Sequence, residues 1–286
     1  MELHFTKLSA NGNDFVALDN REGLLHGGEV DLIRYLCDRR RGAGADGLLL
    51  VEEEPTADFR MRIFNPDGSE ARMCGNGARA CAHFAASLGL GRAGELSFTT
   101  RAGLQRAKLD GQRSRLWLSA PEARGLGEDT LRADHELWAA WPGLRLAGFV
   151  RMGVPHLVVE MEEGIDGLSL STIGPLLRYH KAYAPEGTNV MVAQRMDSHR
   201  LHLRAWEKGV EEETWGCGTG AVAACLILQE SRELGWPHTV HMLGGDLTVY
   251  REDGVLSFAG EIHEAFQARA EVPDSLLNQA NSLQSI

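Results

Sequence analysis

Two short stretches of the chain carry nearly the same text, Cys74-Gly-Asn-Gly-Ala-Arg-Ala and Cys217-Gly-Thr-Gly-Ala-Val-Ala. Each sets one thiol before a glycine-rich turn and an alanine-rich helix. A helix start offers backbone N–H groups and a positive dipole end, so each stretch is half of a cradle for a carboxylate. The same field favours thiolate over thiol. A free cysteine titrates near ~8.5, and lowering it by about two units takes roughly 2.7 kcal/mol. A helix N-terminus supplies about 0.3–2 kcal/mol, so a further positive group is needed, either a substrate ammonium or a polarised His156. A thiolate on one face of an α-carbon and a thiol on the other would remove a proton and return one from the opposite side. That chemistry is racemisation or epimerisation by general base and general acid.

The elements that must position the two thiols follow from hydrophobic periodicity. It predicts strands near 2–8, 14–20, 46–52 and 58–64, helices near 29–40 and 75–90, and further strands near 95–119. The segment from Pro121 to Pro142, rich in Gly, Glu and Asp, reads as a crossover or linker. The pattern then restarts, with strands near 146–160, a helix near 169–180, strands near 187–207, a helix near 217–234 and strands near 238–259. A strand ending Arg62-Ile63-Phe64-Asn65 feeds the first cysteine turn and one ending Arg204-Ala205-Trp206-Glu207 feeds the second. This internal repeat predicts two pseudo-symmetric lobes, residues 1–120 and 121–263, with 264–286 returning to the first and the active site in the cleft between them. The stretch from Pro273 to Ile286 reads as a docked or loose tail.

Bulk properties bound the alternatives. A chain of 286 residues is natural for two domains, and 43% hydrophobic with 24% charged residues is an ordinary globular composition. The formal charge of −11 argues against nucleic acid or an anionic membrane as partner. With no apolar run of membrane-spanning length and no leader pattern at Met1-Glu2-Leu3-His4, a cytoplasmic location is expected. Five cysteines, without a C-x-x-C pair, suit a reducing compartment. Of these, Cys37, Cys81 and Cys225 read as buried core residues.

Other chemistries find little support. His199-x-x-His202 and His238-x-x-His241 lie in predicted strands, where residues three apart face opposite sides, so neither pair chelates a metal together. None of the four lysines, Lys7, Lys108, Lys181 and Lys208, stands in a context for a pyridoxal Schiff base, and there is no dinucleotide fingerprint or phosphate loop. No cofactor and no metal are expected. Several polar turns, Asn13-Asp14, Asn65-Pro66-Asp67-Gly68, Pro185 to Asn189 and Glu207-Lys208-Gly209, each read as plain turns when taken singly. Their placement beside two repeated cysteine motifs makes them candidates for the site.

These residues, with Gly42 to Gly47, Gly153-Val154-Pro155-His156 and Glu207 through Gly220, resemble in order the diaminopimelate epimerase family over most of the chain. The resemblance implies an α/β (α+β) fold of two lobes, each a curved, mostly antiparallel sheet around a central helix, and often a homodimer. It implies cofactor-independent interconversion of LL- and meso-diaminopimelate, in lysine and peptidoglycan precursor synthesis. Cys74 and Cys217 would be the base and acid pair, with His156 and Glu207 polarising the reacting centre. The α-carboxylate would lie on Gly75, Asn76, Gly218 and Thr219, and the distal amino acid group on Asn13, Asn65 and Asn189. Two positions depart from the family pattern. Val154 stands where an asparagine is frequent, and Lys208, also at the substrate site, stands where an arginine is frequent, losing the two-pronged grip on a carboxylate.

Three rival readings remain open at this level. The chain could be a racemase for another amino acid, a related isomerase of the same fold, or a non-catalytic amino-acid-binding or redox-sensing protein whose two thiols close into a disulfide.

Overall fold

The structure is a computed structural model and describes residues 1–230 and 235–276. The chain divides into two units, one formed by Met1–Leu116 together with the chain from Glu261 onward, the other by Trp117–Gly260. In the first unit the elements are β1 (Glu2–Ala10), β2 (Asn13–Asp19), α1 (Val30–Cys37), β3 (Gly47–Glu52), β4 (Phe59–Phe64), β5 (Glu70–Ala71), α2 (Gly75–Ser87), β6 (Glu95–Thr100), β7 (Gly103–Asp110) and β8 (Arg113–Leu118). The second unit holds β9 (Ala123–Arg124), α3 (Glu128–Arg132), α4 (His135–Ala140), β10 (Leu144–Met152), β11 (Val154–Met161), α5 (Leu170–Arg178), β12 (Asn189–Arg195) and β13 (Arg200–Trp206). It continues through β14 (Glu213–Thr214), α6 (Gly218–Glu230), β15 (His238–Met242), β16 (Gly245–Glu252) and the first part of β17 (Val255–Glu271). The remainder of β17 belongs to the first unit, where it pairs antiparallel with β1 from Ala10↔Ile262 to Glu2↔Glu271.

Strand pairing repeats from unit to unit. In the first, β1–β2 is antiparallel, β2–β3 parallel, β3–β4 antiparallel and β4–β6 parallel. In the second, β10–β11, β11–β12, β12–β13 and β13–β15 follow the same order of senses. A parallel pair cannot be joined by a tight turn and needs a long crossover, usually helical. Helices α1 and α5 bridge the first parallel pair of each unit, and α2 and α6 bridge the second. The mixed fold, a mostly antiparallel sheet with a central helix in each unit, is the one the family resemblance implied.

The two cysteine-led helices are the central ones, and their composition explains it. α6 is apolar round its whole circumference, from Ala221 to Leu228 without an exposed residue, as a helix enclosed by sheet must be. It packs against β10, β11, β12, β13 and β16. α2, built largely of alanine, packs against β1, β2, β3, β4 and β7 and buries Ala78, Ala80, Cys81, Ala82, Phe84 and Ala85. α1 and α5 are instead amphipathic. α1 buries Leu32, Ile33 and Leu36 with Leu48 and Leu50, and α5 buries Ile173 and Leu177 with Val190, Val192 and Trp206.

Three sequence expectations need adjustment. The segment read as a linker, 121–142, contains β9, α3 and α4. Leu131 is fully buried there, and Trp138 donates its ring N–H to the Leu131 carbonyl at 2.9 Å while packing on the second core. The composition of small and acidic residues masked these short elements. The last strand runs to Glu271 rather than ending near 259. Of the expected tail, residues up to Leu276 form a short 3-10 turn, and 277–286 lie outside the described residues, as does the end of the second cysteine helix at 231–234. Among the described residues no helix is long and apolar enough to cross a membrane.

Candidate active site

In the first unit, Cys74 is the N-cap of α2. Its backbone is extended, its carbonyl accepts the Ala78 N–H at 2.7 Å, and its sulfur accepts the Gly77 N–H at 3.5 Å. The sulfur therefore stands where the helix start concentrates positive potential. Asn76, two residues on, donates to Asn13 Oδ1 at 2.8 Å, and Asn13 Nδ2 donates to Asp46 Oδ2 at 3.2 Å. Asp46 and Asp14 are both held by Arg39, and Lys7 pairs with Asp14 at 2.7 Å. Burial opposes the charge on Asp14, but hydrogen bonds from Arg39 and Lys7 outweigh it and hold the carboxyl well below the usual range. Candidates Cys74, Gly75, Asn76 and Asn13 thus form one connected group. Asn65 is exposed on the turn after β4, where its side chain donates to Ser69 at 3.0 Å.

In the second unit, Cys217 immediately precedes α6 and is 5% exposed. Its thiol donates to Glu207 Oε2 at 3.3 Å, and Thr214 donates to the other oxygen, Oε1, at 2.5 Å. The Thr219 hydroxyl lies 3.9 Å from the sulfur. Glycine is required on this turn. A Cβ at Gly220 would sit 2.2 Å from Met191 Sδ and 3.0 Å from Cys217 Sγ, and one at Gly218 would sit 2.5 Å from the Phe258 ring. Burial, and then the Glu207 charge, push the Cys217 thiol well above its ordinary value. Burial also raises the Glu207 carboxyl, against the lowering effect of Thr214 and Cys217. The thiol is therefore held protonated with its S–H directed at the carboxylate, which is the character expected of a proton donor.

The remaining candidates of this unit meet through strand register. His156 on β11 lies opposite Asn189 on β12, and Asn189 Nδ2 contacts His156 Nδ1 at 3.4 Å while its Oδ1 accepts the Lys208 N–H at 2.7 Å. With Nδ1 accepting, the ring proton sits on Nε2, for which the described residues offer no hydrogen-bond acceptor. The Lys208 ammonium pairs with Glu186 at 2.9 Å, and Glu186 also binds Arg151. Hydrogen bonds from Arg151 and Lys208 bring the Glu186 carboxyl down to about 2. Val154 is 42% exposed.

The suggestion that His156 supplies positive charge does not survive its environment. The side chain is fully buried, and desolvation lowers its pKa from 6.5 to about 3, so the ring is neutral near pH 7. A folded value below the unfolded one means that unfolding takes up a proton below about pH 6.5. Stability from this group is complete above that pH and is lost as pH falls toward 3, by up to about 1.4 kcal/mol per unit. Urea unfolding between pH 7 and 4.5 is expected to show this decline, and His156→Gln to flatten it. An equal slope in the variant would show that the ring is not buried neutral.

The other three cysteines sit in the core. Cys81 and Cys225 are fully buried with thiols raised by desolvation, and burial pushes Cys37 up to about 11. Sequence reasoning assigned no part to Arg79, which is also fully buried, one turn beyond Asn76. The signal was present, because an arginine within a helix lacking a polar face has no route to solvent.

Comparisons with known proteins bear on the family and the fold. The diaminopimelate epimerase family profile matches residues 5–118 and 148–260. A diaminopimelate epimerase of Aquifex aeolicus is 34% identical over 93% of this chain and 97% of that protein. One of Moorella thermoacetica is 37% identical over 86% of this chain and 91% of its own length. Among solved structures, a phenazine biosynthesis protein of the PhzF family from Bacillus anthracis superposes with a TM-score of 0.74 at 16% identity, covering 95% of this chain and all of that one. A hydroxyproline epimerase from Agrobacterium vitis superposes with a TM-score of 0.61 at 15% identity, over 94% of this chain and 91% of that one. These two establish the fold alone. On the family match and the sequence identities, the chain belongs to the diaminopimelate epimerase family.

Proposed function

We propose that the chain is an isomerase that epimerises LL-diaminopimelate to meso-diaminopimelate without a cofactor, with Cys74 and Cys217 as the base and acid pair. The observation that carries this reading is the hydrogen bond from the Cys217 thiol to the half-buried Glu207 carboxylate at the start of one central helix, matched by Cys74 capping the other. A thiol held protonated in one unit and a thiol at a positive helix start in the other have the complementary proton states that a two-base inversion requires. Membership of the family selects the substrate.

In the forward direction the thiolate at Cys74 takes the α-proton and Cys217 delivers its own to the opposite face; the reverse reaction exchanges the roles. Charge developing on the substrate carboxylate is met by the N–H groups of Gly75, Asn76, Gly218 and Thr219, which cost no reorganisation as the charge grows. Neutral His156, with its proton on Nε2, is a donor to the substrate rather than a base. Asn13, Asn65, Asn189 and Lys208 bind the second, unreacting amino acid head. Such a site discriminates strongly, because a substrate lacking that head leaves buried polar groups unpaired. Action in lysine and peptidoglycan precursor synthesis, a cytoplasmic location and a homodimer complete the reading.

The test is a substrate panel assayed under reducing conditions without added cofactor. Conversion of LL-diaminopimelate with negligible racemisation of alanine, glutamate and proline is expected. Preferential turnover of a single-headed amino acid would replace the substrate while keeping the chemistry, and no turnover of any would favour a binding or sensing role.

A further inference from the structure

Arg79 is the largest fully buried side chain among the described residues. A guanidinium is rarely taken wholly out of water, because the loss of hydration must be matched by well-placed acceptors and charge. Here it donates to Asn11 Oδ1 and, at 3.0 Å, to Asn76 Oδ1. Its position on α2, one turn past Asn76, directs it back toward the helix start that Cys74 caps.

We propose that Arg79 is a positioning residue for the first half of the site, fixing the Asn76 and Asn13 amides in one orientation and holding negative charge on the Cys74 sulfur. The inference rests on the reading of Cys74 as the proton-transferring group.

Two arguments carry it. The first is the polarity of the hydrogen-bond chain. Arginine only donates and an ionised carboxylate only accepts. With Arg79 at one end and Asp46 at the other, Asn76 must turn its oxygen to Arg79 and its NH2 to Asn13 Oδ1, and Asn13 must turn its NH2 to Asp46. Neither amide can flip without opposing two donors or two acceptors, so both side chains present a fixed set of remaining hydrogens and lone pairs to a ligand. The second is charge. Burial draws Arg79 down to about 9, Cys74 acts to keep it charged, and Arg113 opposes. Linkage is reciprocal: whatever the sulfur anion does for the guanidinium, the guanidinium does for the sulfur anion.

Among the described residues of the second unit, no cation acts on Cys217 in this way. Val222 holds the matching place in α6, and the charged neighbour of Cys217 is Glu207, which acts in the opposite sense. The two units therefore bias their sulfurs in opposite senses, Cys74 toward the anion and Cys217 toward the thiol. This supplies the positive group that a helix dipole alone is too weak to replace.

The decisive experiment is a thiol titration of the reduced, full-length protein without substrate, following iodoacetamide alkylation of the Cys74 and Cys217 peptides by mass spectrometry from pH 6 to 10. In the parent, Cys74 is expected to titrate below an ordinary thiol and Cys217 above it. R79Q keeps a donor and loses the charge. It should raise the Cys74 midpoint by about one unit, an about tenfold slower alkylation at neutral pH, and leave Cys217 unmoved. R79K keeps the charge but not the planar fork, so it should hold the Cys74 midpoint while raising KM more than it lowers kcat. A parental Cys74 midpoint in folded R79Q overturns the proposal. So does a Cys74 midpoint at or above that of a free thiol in the parent, which settles the matter even where R79Q does not fold. Because no substrate enters the titration, the result stands apart from whether diaminopimelate is turned over.

Discussion

Cys74→Ser and Cys217→Ser are each expected to lower epimerisation by at least about a thousandfold, within the range for loss of a general acid or base. Serine preserves the packing, and at position 217 its hydroxyl can still donate to Glu207, so both variants should keep near-parental far-UV circular dichroism and unfolding midpoints. What serine cannot do is exist as an anion near neutral pH or give up a proton as readily as a thiol. Cys81→Ser and Cys225→Ser, at fully buried positions away from the helix starts, serve as controls. They are expected to lose stability through a buried hydroxyl, by about 1–3 kcal/mol, and to retain turnover once folded. Near-normal rates in either Cys74→Ser or Cys217→Ser would remove that thiol from the mechanism.

The second large effect is expected at Glu207. Both carboxylate oxygens accept, one from Cys217 and the other from Thr214, whereas glutamine has one oxygen and must turn an N–H toward the sulfur or the hydroxyl. Glu207→Gln should lower kcat by about a hundredfold. The direction of its effect on the thiol is more telling than the size. Glu207 raises Cys217 through its charge, so removing that charge lets the thiol ionise at lower pH. Cys217 then ionises more readily and alkylates faster, but without the second carboxylate oxygen its S–H is no longer held in one direction for delivery. Slower turnover with faster alkylation, and a basic limb of kcat/KM moved to lower pH, is the expected signature. Slower alkylation in the variant would mean that Glu207 assists ionisation of Cys217 rather than opposing it.

The central helices were legible because each opens on nearly the same text, Cys-Gly-x-Gly-Ala-x-Ala, ahead of an alanine-rich run. Strand periodicity placed β1 to β4 and β10 to β13 within a few residues. The two-residue strands β5 and β14, by contrast, are too short to show a period. α3 and α4 lay hidden because Leu131 and Trp138 are anchors too few to dominate a segment of Gly, Glu and Asp. The histidine pairs show the limit of reasoning along one strand. Residues three apart do face away from each other, but parallel pairing of β13 with β15 sets His202 against His241, with ring centroids 5.3 Å apart.

At the site, residue identities were legible and electrostatics were not. His156 was read as a candidate cation because histidine titrates near neutrality, and only its full burial shows that it stays uncharged. Arg79 was passed over because arginine is exposed by default, although the alanine-rich helix around it leaves no polar face. Lys208 was judged by what it lacks beside arginine. Its pairing with Glu186, itself bound to Arg151, places a guanidinium next to that position, a relation that no spacing in the sequence reveals.

The central claim, inversion by two thiols acting on opposite faces, is tested most directly by incubating the reduced protein with LL-diaminopimelate in deuterium oxide, without cofactor, and isolating both isomers before equilibrium. The account predicts meso-diaminopimelate fully deuterated at the inverted centre from the first turnovers, while recovered LL substrate remains almost unlabelled. Early meso product that retains its original α-proton, or LL substrate that gains deuterium ahead of product, would show a single base serving both faces and would contradict it.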